Sequence, residues 1–151
     1  MIRKATNKDI PEVTKLVYSI LREYGLKPDP SGTDVDLKDI EKNYPLNGGS
    51  FDVLLDVSGN IVGSVGVFKV SEEVCELRKM YLDPSQRGQG KGVVLLEHGL
   101  SRARDLGFSR VTLETAGVLK EAISLYMKYG FKEFKAEHVS SRCDQTFYLD
   151  L

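Results

Sequence analysis

Two features of the segment Arg87-Gly88-Gln89-Gly90-Lys91-Gly92 could do chemistry together. Its glycines leave backbone N–H groups open to close approach, because no Cβ stands over them. Its cations, Arg87 and Lys91, favour a negatively charged guest. A run rich in strand formers, Leu77 to Leu82, enters the segment through Asp83-Pro84, and a helical pattern from Val93 to Leu106 leaves it. A strand, a glycine turn and a helix in that order present unpaired N–H donors and the positive end of a helix dipole to whatever sits above the turn. The chemistry so defined is the capture of an anion: a phosphate-bearing ligand held mainly by backbone.

The spacing excludes two familiar phosphate motifs. A Walker A loop needs four residues between its first glycine and its Gly-Lys pair, followed by Ser or Thr. Here Gly92 follows Gly90-Lys91, and Ser85 occupies the place of the first glycine. A dinucleotide fingerprint would need glycine where Val93 stands, and the strands before the loop look antiparallel rather than βαβ.

The elements that must position the loop can be read in order. Ile2 to Ala5 reads as a strand, and a helix follows from Asp9 and Pro11, with Ile10, Val13, Val17, Ile20, Leu21 and Tyr24 on one face and a stop at Gly25. Lys27 to Gly32 is broken by proline and glycine. A short helix is expected from Leu37 to Tyr44. Phe51–Val57 and Ile61–Val70 form a hairpin about Ser58-Gly59-Asn60, and Val74 to Leu82 is the next strand. After the loop, Val93, Leu96, Leu100, Ala103 and Leu106 make a helical stripe ended by Gly107. Arg110–Ala116 is a strand, Leu119 to Tyr129 a helix ended by Gly130, and Phe131–Val139 and Gln145–Leu151 the last strands. The expected fold is α/β (α+β): a mixed, mainly antiparallel sheet of about seven strands flanked by four helices.

A length of 151 residues suits one domain over 1–151. A net charge of −1 argues against nucleic-acid binding by general electrostatic attraction. Cys75 and Cys143 make neither a disulfide framework nor a metal-ligand pair. No apolar run approaches the roughly 20 residues needed to cross a bilayer, and the N-terminus lacks a signal-like apolar segment. The expectation is a cytoplasmic protein with no metal and no membrane or nucleic-acid partner.

Arg87, Gly90 and Gly92 fill the pattern Q/R-x-x-G-x-G/A, and the segment resembles the acyl-CoA loop of the GNAT superfamily of N-acetyltransferases. Glu76 to Pro84 resembles that family's fourth strand, and Leu125 to Phe131 its helix ending in LYxxxGF. With the element order, the resemblance covers essentially the whole chain. It implies acetyl-CoA as cosubstrate and direct transfer of the acetyl group to an amine of a small molecule, amino acid or protein, without a covalent acyl-enzyme. It implies that the backbone of Met80, Tyr81 and Leu82 pairs with the pantetheine arm. The N–H groups from Arg87 through Gly88, Gln89, Gly90, Lys91 and Gly92 would hold the pyrophosphate. Many members carry Asn near the position of Leu119, a cofactor contact this chain lacks. Members often dimerise through the late strands, so a homodimer is compatible with the family.

An alkyl amine with a pKa near 10 is only about one part in a thousand neutral at pH 7, so supplying the nucleophile costs roughly 4 kcal/mol. A carboxylate can take that proton, directly or through water. Glu76 aligns with the family's base position; Glu114 is the rival, water is a third route, and Glu73 reads as a turn residue. Tyr126 matches the family tyrosine that protonates the departing thiolate, while Tyr129 reads as core. His98 reads as surface and His138 as a late-strand residue near the acceptor. Neither Cys75 nor Cys143 reads as a nucleophile. Asp29, Asp34, Asp36, Asp39 and Glu41 read as a solvated charged face that could alternatively attract a cationic amine. A non-catalytic acyl-CoA-binding regulatory domain is the alternative function.

Overall fold

A computed structural model describes residues 1–151. Its strands are β1 (Ile2–Lys4), β2 (Ser50–Leu55), β3 (Ile61–Lys69), β4 (Val74–Leu82), β5 (Arg110–Thr115), β6 (Lys132–Phe134) and β7 (Gln145–Asp150). Its helices are α1 (Ile10–Glu23), α2 (Ile40–Asn43), α3 (Lys91–Asp105) and α4 (Lys120–Lys128). The strands pair into one seven-stranded sheet in the order β1-β2-β3-β4-β5-β7-β6. Every pairing is antiparallel except β4 with β5. This is the architecture the sequence predicts.

Helix α1 starts after a capping box between Thr6 and Asp9, with Pro11 in its first turn where no N–H is needed. Val13, Leu16, Val17, Ile20 and Leu21 are buried at helical spacing. They pack with Leu37, Ile40 and Tyr44 against Phe51 and Val53 in one core. A second core joins Leu95, Leu96 and Leu100 of α3, Tyr126 of α4 and Phe147 of β7 to Leu54, Val65 and Leu77. The adjacent residues Val53 and Leu54 belong to different cores, so the sheet is covered on both faces. α3 approaches closely because Gly99 has no side chain. A Cβ there would lie 2.9 Å from Leu77 and 3.0 Å from Val65.

Three expectations change. The predicted helix from Leu37 to Tyr44 is broken into a 3-10 turn over Val35–Lys38, the short α2, and a further turn over Pro45–Asn47. The strand expected over Phe131–Val139 stops at Phe134. Only Lys132, Glu133 and Phe134 find partners on β7. His138 therefore lies in an exposed loop rather than a strand. His98 is not a plain surface residue either, since its Nε2 lies 3.0 Å from the buried Asp52 carboxylate on β2.

Candidate active site

The site is built where β4 and β5 part. Their parallel pairing runs only over Val74–Arg110, Cys75–Val111 and Glu76–Thr112, although β4 continues to Leu82 and β5 to Thr115. Beyond Glu76, one edge of β4 has no strand beside it, and its main-chain groups face a gap. A cavity of about 560 Å³ occupies that gap. Its walls include Met80, Tyr81 and Leu82 of β4, Gly88 and Gly90 to Val93 of the glycine turn, and Leu119 and Tyr126 beside and on α4. At the other end stand Glu76, Arg78, Lys79, Glu114 and Arg142. The gap brings together the expected catalytic residues Glu76 and Tyr126 and every expected cofactor-binding residue except Gln89, which sits in the turn but not in the wall.

The glycine turn is shaped as an anion cradle. Gly88 and Gly90 have φ of +75° and +76°, the left-handed region where a side chain costs roughly 1–2 kcal/mol. A Cβ at either position would meet nothing within 4 Å. The turn therefore selects glycine for conformation, and the space above it is open. The N–H groups from Gly88 through Val93 donate to no protein acceptor. Gly90, as the residue before α3, brings no capping side chain, so the first turn keeps its donors for a guest. These features fit a pyrophosphate. The two nearby cations are already engaged. Arg87 binds Glu23 on α1 at 2.6 and 3.0 Å and donates to the Leu82 carbonyl at 3.3 Å, and Lys91 Nζ contacts Gln86. Arg87 thus ties the turn to the end of α1. Leu119 precedes α4 without a side-chain capping hydrogen bond and lines the cavity with an apolar side chain.

At the opposite end a β-bulge sets the side chains. Between Ser64 and Gly66 the β3–β4 register shifts, so Val65 faces both Lys79 and Met80. Lys79 takes φ of +53°, and its carbonyl accepts from the Ser64 hydroxyl at 2.7 Å. The extra residue sends Lys79 to the segment Thr33–Asp36, while Met80 and Leu82 pack on the other core. Lys79 Nζ sits 3.1 Å from Asp36 and 3.4 Å from Asp34. Arg142, from the loop before β7, grips Asp34 at 2.7 and 2.5 Å. The Tyr44 hydroxyl donates to Asp36. Burial opposes the charge of Asp34. Hydrogen bonds from Arg142 and the Asp29 N–H and the charge of Lys79 outweigh it, holding its carboxyl below the ordinary range. Asp34 and Asp36 are therefore neither a solvated face nor a bare trap for a cationic amine. Their charge is spent on the buried cations, a pairing across distant segments that no local pattern signals.

Glu76 is partly buried and ion-paired with Nε of Arg78, whose guanidinium carbon lies 3.8 Å above the Phe68 ring. Glu114 also faces the cavity but accepts the Ser140 N–H at 2.9 Å. Tyr126 is buried among Phe131 and Phe147. Burial, with a smaller push from Tyr81, raises its phenol above the ordinary value. Tyr81 is raised by burial to about 12, with Arg142 pulling the other way. Tyr129 packs beside the core, and its hydroxyl donates to Glu97 at 2.5 Å. Cys75 is buried, which lifts its thiol to about 12, and burial likewise raises Cys143. Neither is an activated thiolate. No cluster of His, Cys, Asp and Glu suited to a metal exists in the chain. No helix is long and apolar enough to cross a membrane.

Comparison with known proteins bears on this geometry. A solved acetyltransferase of the GNAT family from Staphylococcus aureus Mu50 matches with a TM-score of 0.92 at 24% identity, over 99% of this chain and 98% of that one. A phosphinothricin acetyltransferase from Sinorhizobium meliloti, solved in complex with AcCoA, matches with a TM-score of 0.77 at 20% identity, over 100% of this chain and 88% of that one. In sequence, the uncharacterized N-acetyltransferase YjgM of Escherichia coli K12 is 33% identical over 155 residues, 99% of this chain and 89% of that protein. The model of the acetyltransferase (GNAT) family matches residues 14–131. The chain belongs to the GNAT family of acetyltransferases.

Proposed function

We propose that residues 1–151 form a single catalytic domain that transfers an acetyl group from acetyl-CoA directly to an amine. The observation that carries this reading is the gap between β4 and β5, with a cradle of free N–H groups at one end and a carboxylate at the other. Family membership supports acyl-CoA-dependent acetyl transfer, and the Sinorhizobium meliloti neighbour was solved with AcCoA. In this reading the N–H groups from Gly88 to Gly92 hold the pyrophosphate, whereas that of Arg87 donates to the Pro84 carbonyl at 3.3 Å. The open edge of Met80, Tyr81 and Leu82 pairs with the pantetheine arm. Hydrogen bonds to charged groups contribute roughly 1.5–3 kcal/mol each, so a few anchor the cosubstrate. Acetyl-CoA supplies an activated acyl group.

Glu76 is the base. It takes the ammonium proton, offsetting the roughly 4 kcal/mol cost of a neutral amine at pH 7. Two features favour it over Glu114: Glu76 stands at the point where β4 and β5 part, and Glu114 is occupied by the Ser140 N–H. The amine nitrogen attacks the thioester carbonyl, the C–N bond forms and the C–S bond breaks. Tyr126 gives its proton to the departing thiolate. Its raised pKa keeps the phenol protonated and available across the neutral range. The free thiols of Cys75 and Cys143 suit a reducing compartment such as the cytoplasm. Thiol release from acetyl-CoA across a panel of amines tests the reading. Binding of acetyl-CoA without release for any amine would instead support a non-catalytic acyl-CoA-binding domain.

A further inference from the structure

The polar wall beyond the acetyl end of the cavity is internally paired except at one edge. Asp34 and Asp36 meet Lys79 and Arg142. Lys79 also donates to the Thr33 carbonyl and Arg142 to the Lys27 carbonyl. Arg78 differs from both. Its Nε engages Glu76, while its two terminal nitrogens meet no protein acceptor and are not sealed from solvent. The side chain is 31% exposed, lines the cavity, and has its guanidinium carbon 3.8 Å from the centre of the Phe68 ring, a contact that restrains it. A partly buried fork, held by Glu76 and Phe68 and with a free edge, is a receptor for a planar, two-oxygen anion.

We propose that the acceptor carries a carboxylate beside its amine, as a free amino acid does, and that the free edge of Arg78 binds that carboxylate. The proposal rests on the reading of Glu76 as the base. Glu76 and the acceptor's carboxylate would then occupy neighbouring edges of one guanidinium, bringing the adjoining amine beside the group that deprotonates it. Charge balance points the same way. When Glu76 takes the proton it becomes neutral, and Arg78 loses its counter-charge in a partly buried site. A carboxylate on the acceptor replaces that charge, and a bare amine does not. The transfer itself balances as before: C–N forms, C–S breaks, the amine's proton goes to Glu76 and the thiolate's comes from Tyr126.

The test compares each standard amino acid with its carboxamide as acceptor, by thiol release from acetyl-CoA. The acid should exceed its amide in kcat/KM by about ten- to a hundredfold, the span of one charged hydrogen bond. Arg78→Gln should bring that ratio near unity, and Arg78→Lys, which keeps the charge but loses the fork, should leave an intermediate ratio. Any disturbance of Glu76 falls on both acceptors alike, so the ratio isolates the carboxylate contact. Equal use of acid and amide by the wild type, or a ratio unchanged in Arg78→Gln, overturns the proposal. A calorimetric titration of N-acetyl amino acids and their carboxamides onto CoA-saturated protein needs no turnover. The acids should bind at least about tenfold tighter, and only with Arg78 present; equal binding overturns the proposal. If no amine supports release yet the acids still bind in this way, the transferase reading fails and the carboxylate site stands.

Discussion

Arg142 holds Asp34 through both terminal nitrogens, at 2.7 and 2.5 Å, and so fastens the loop before β7 to the segment after α1. The Asp34 side chain is fully buried, and that of Arg142 is 11% exposed. Removing one partner of such a pair leaves an uncompensated charge, which outweighs the loss of the attraction itself. Arg142→Met should lower unfolding stability by about 3 kcal/mol, since Lys79 still compensates Asp34 in part. Adding Asp34→Asn should recover some of that loss. Urea unfolding of the single and double variants checks both, and additive losses would mean the two side chains are not coupled.

The same pair sets an acid limit. The Asp34 carboxyl is held below its ordinary value in the folded protein. Its contribution to stability is complete above the unfolded pKa, near 3.9, and is lost as pH falls toward the folded value. In Arg142→Met the effect of burial gains weight and moves the folded-state pKa up toward the unfolded value, so the acid-induced loss contributed by Asp34 should shrink. Thermal unfolding between pH 3 and 7 reads the shift. Parallel pH curves for the two proteins would contradict it.

Much of this arrangement was legible in the residues, and the reasons are local. Prolines, glycines and helical spacing marked α1, the hairpin, α3 and α4 within a few residues, because those signals act on the chain where they stand. The glycine turn was legible for the same reason. The bulge at Lys79 was not: Arg78-Lys79 reads as two charges in a strand, and only the shifted β3 register puts both on one face of the sheet, Arg78 over Phe68 and Lys79 at Asp34 and Asp36. The Asp34–Arg142 pair spans 108 residues and leaves no periodic trace. β6 was overestimated because Lys135 to Val139 contains no breaker. The chain leaves the sheet there, and beyond it Ser140 reaches Glu114 and Arg142 reaches Asp34.

Gly90 tests the cradle. At φ of +76° with open space above it, Gly90→Val should cost roughly 1–2 kcal/mol in backbone strain and place a side chain where the pyrophosphate would lie. Acetyl-CoA affinity should fall at least about tenfold, with only modest loss of stability. Calorimetry with acetyl-CoA checks this, and unchanged affinity would move the pyrophosphate elsewhere.

Tyr126→Phe removes a hydroxyl while keeping the ring that packs with Phe131 and Phe147. Turnover should fall by about a hundredfold where chemistry is limiting, with acetyl-CoA affinity nearly intact. Single-turnover kinetics separates the two. Wild-type rates would leave Tyr126 with a packing role alone.

The most direct test of the account is the pH dependence of thiol release from acetyl-CoA, measured on an accepted amine for wild type, Glu76→Gln and Glu114→Gln. Glu76→Gln should lower kcat by at least about a hundredfold and abolish the limb of the profile that reports the base, while Glu114→Gln keeps that limb. A Glu76→Gln protein with the wild-type rate and profile would contradict the assignment of the base, and with it the mechanism proposed for the gap between β4 and β5.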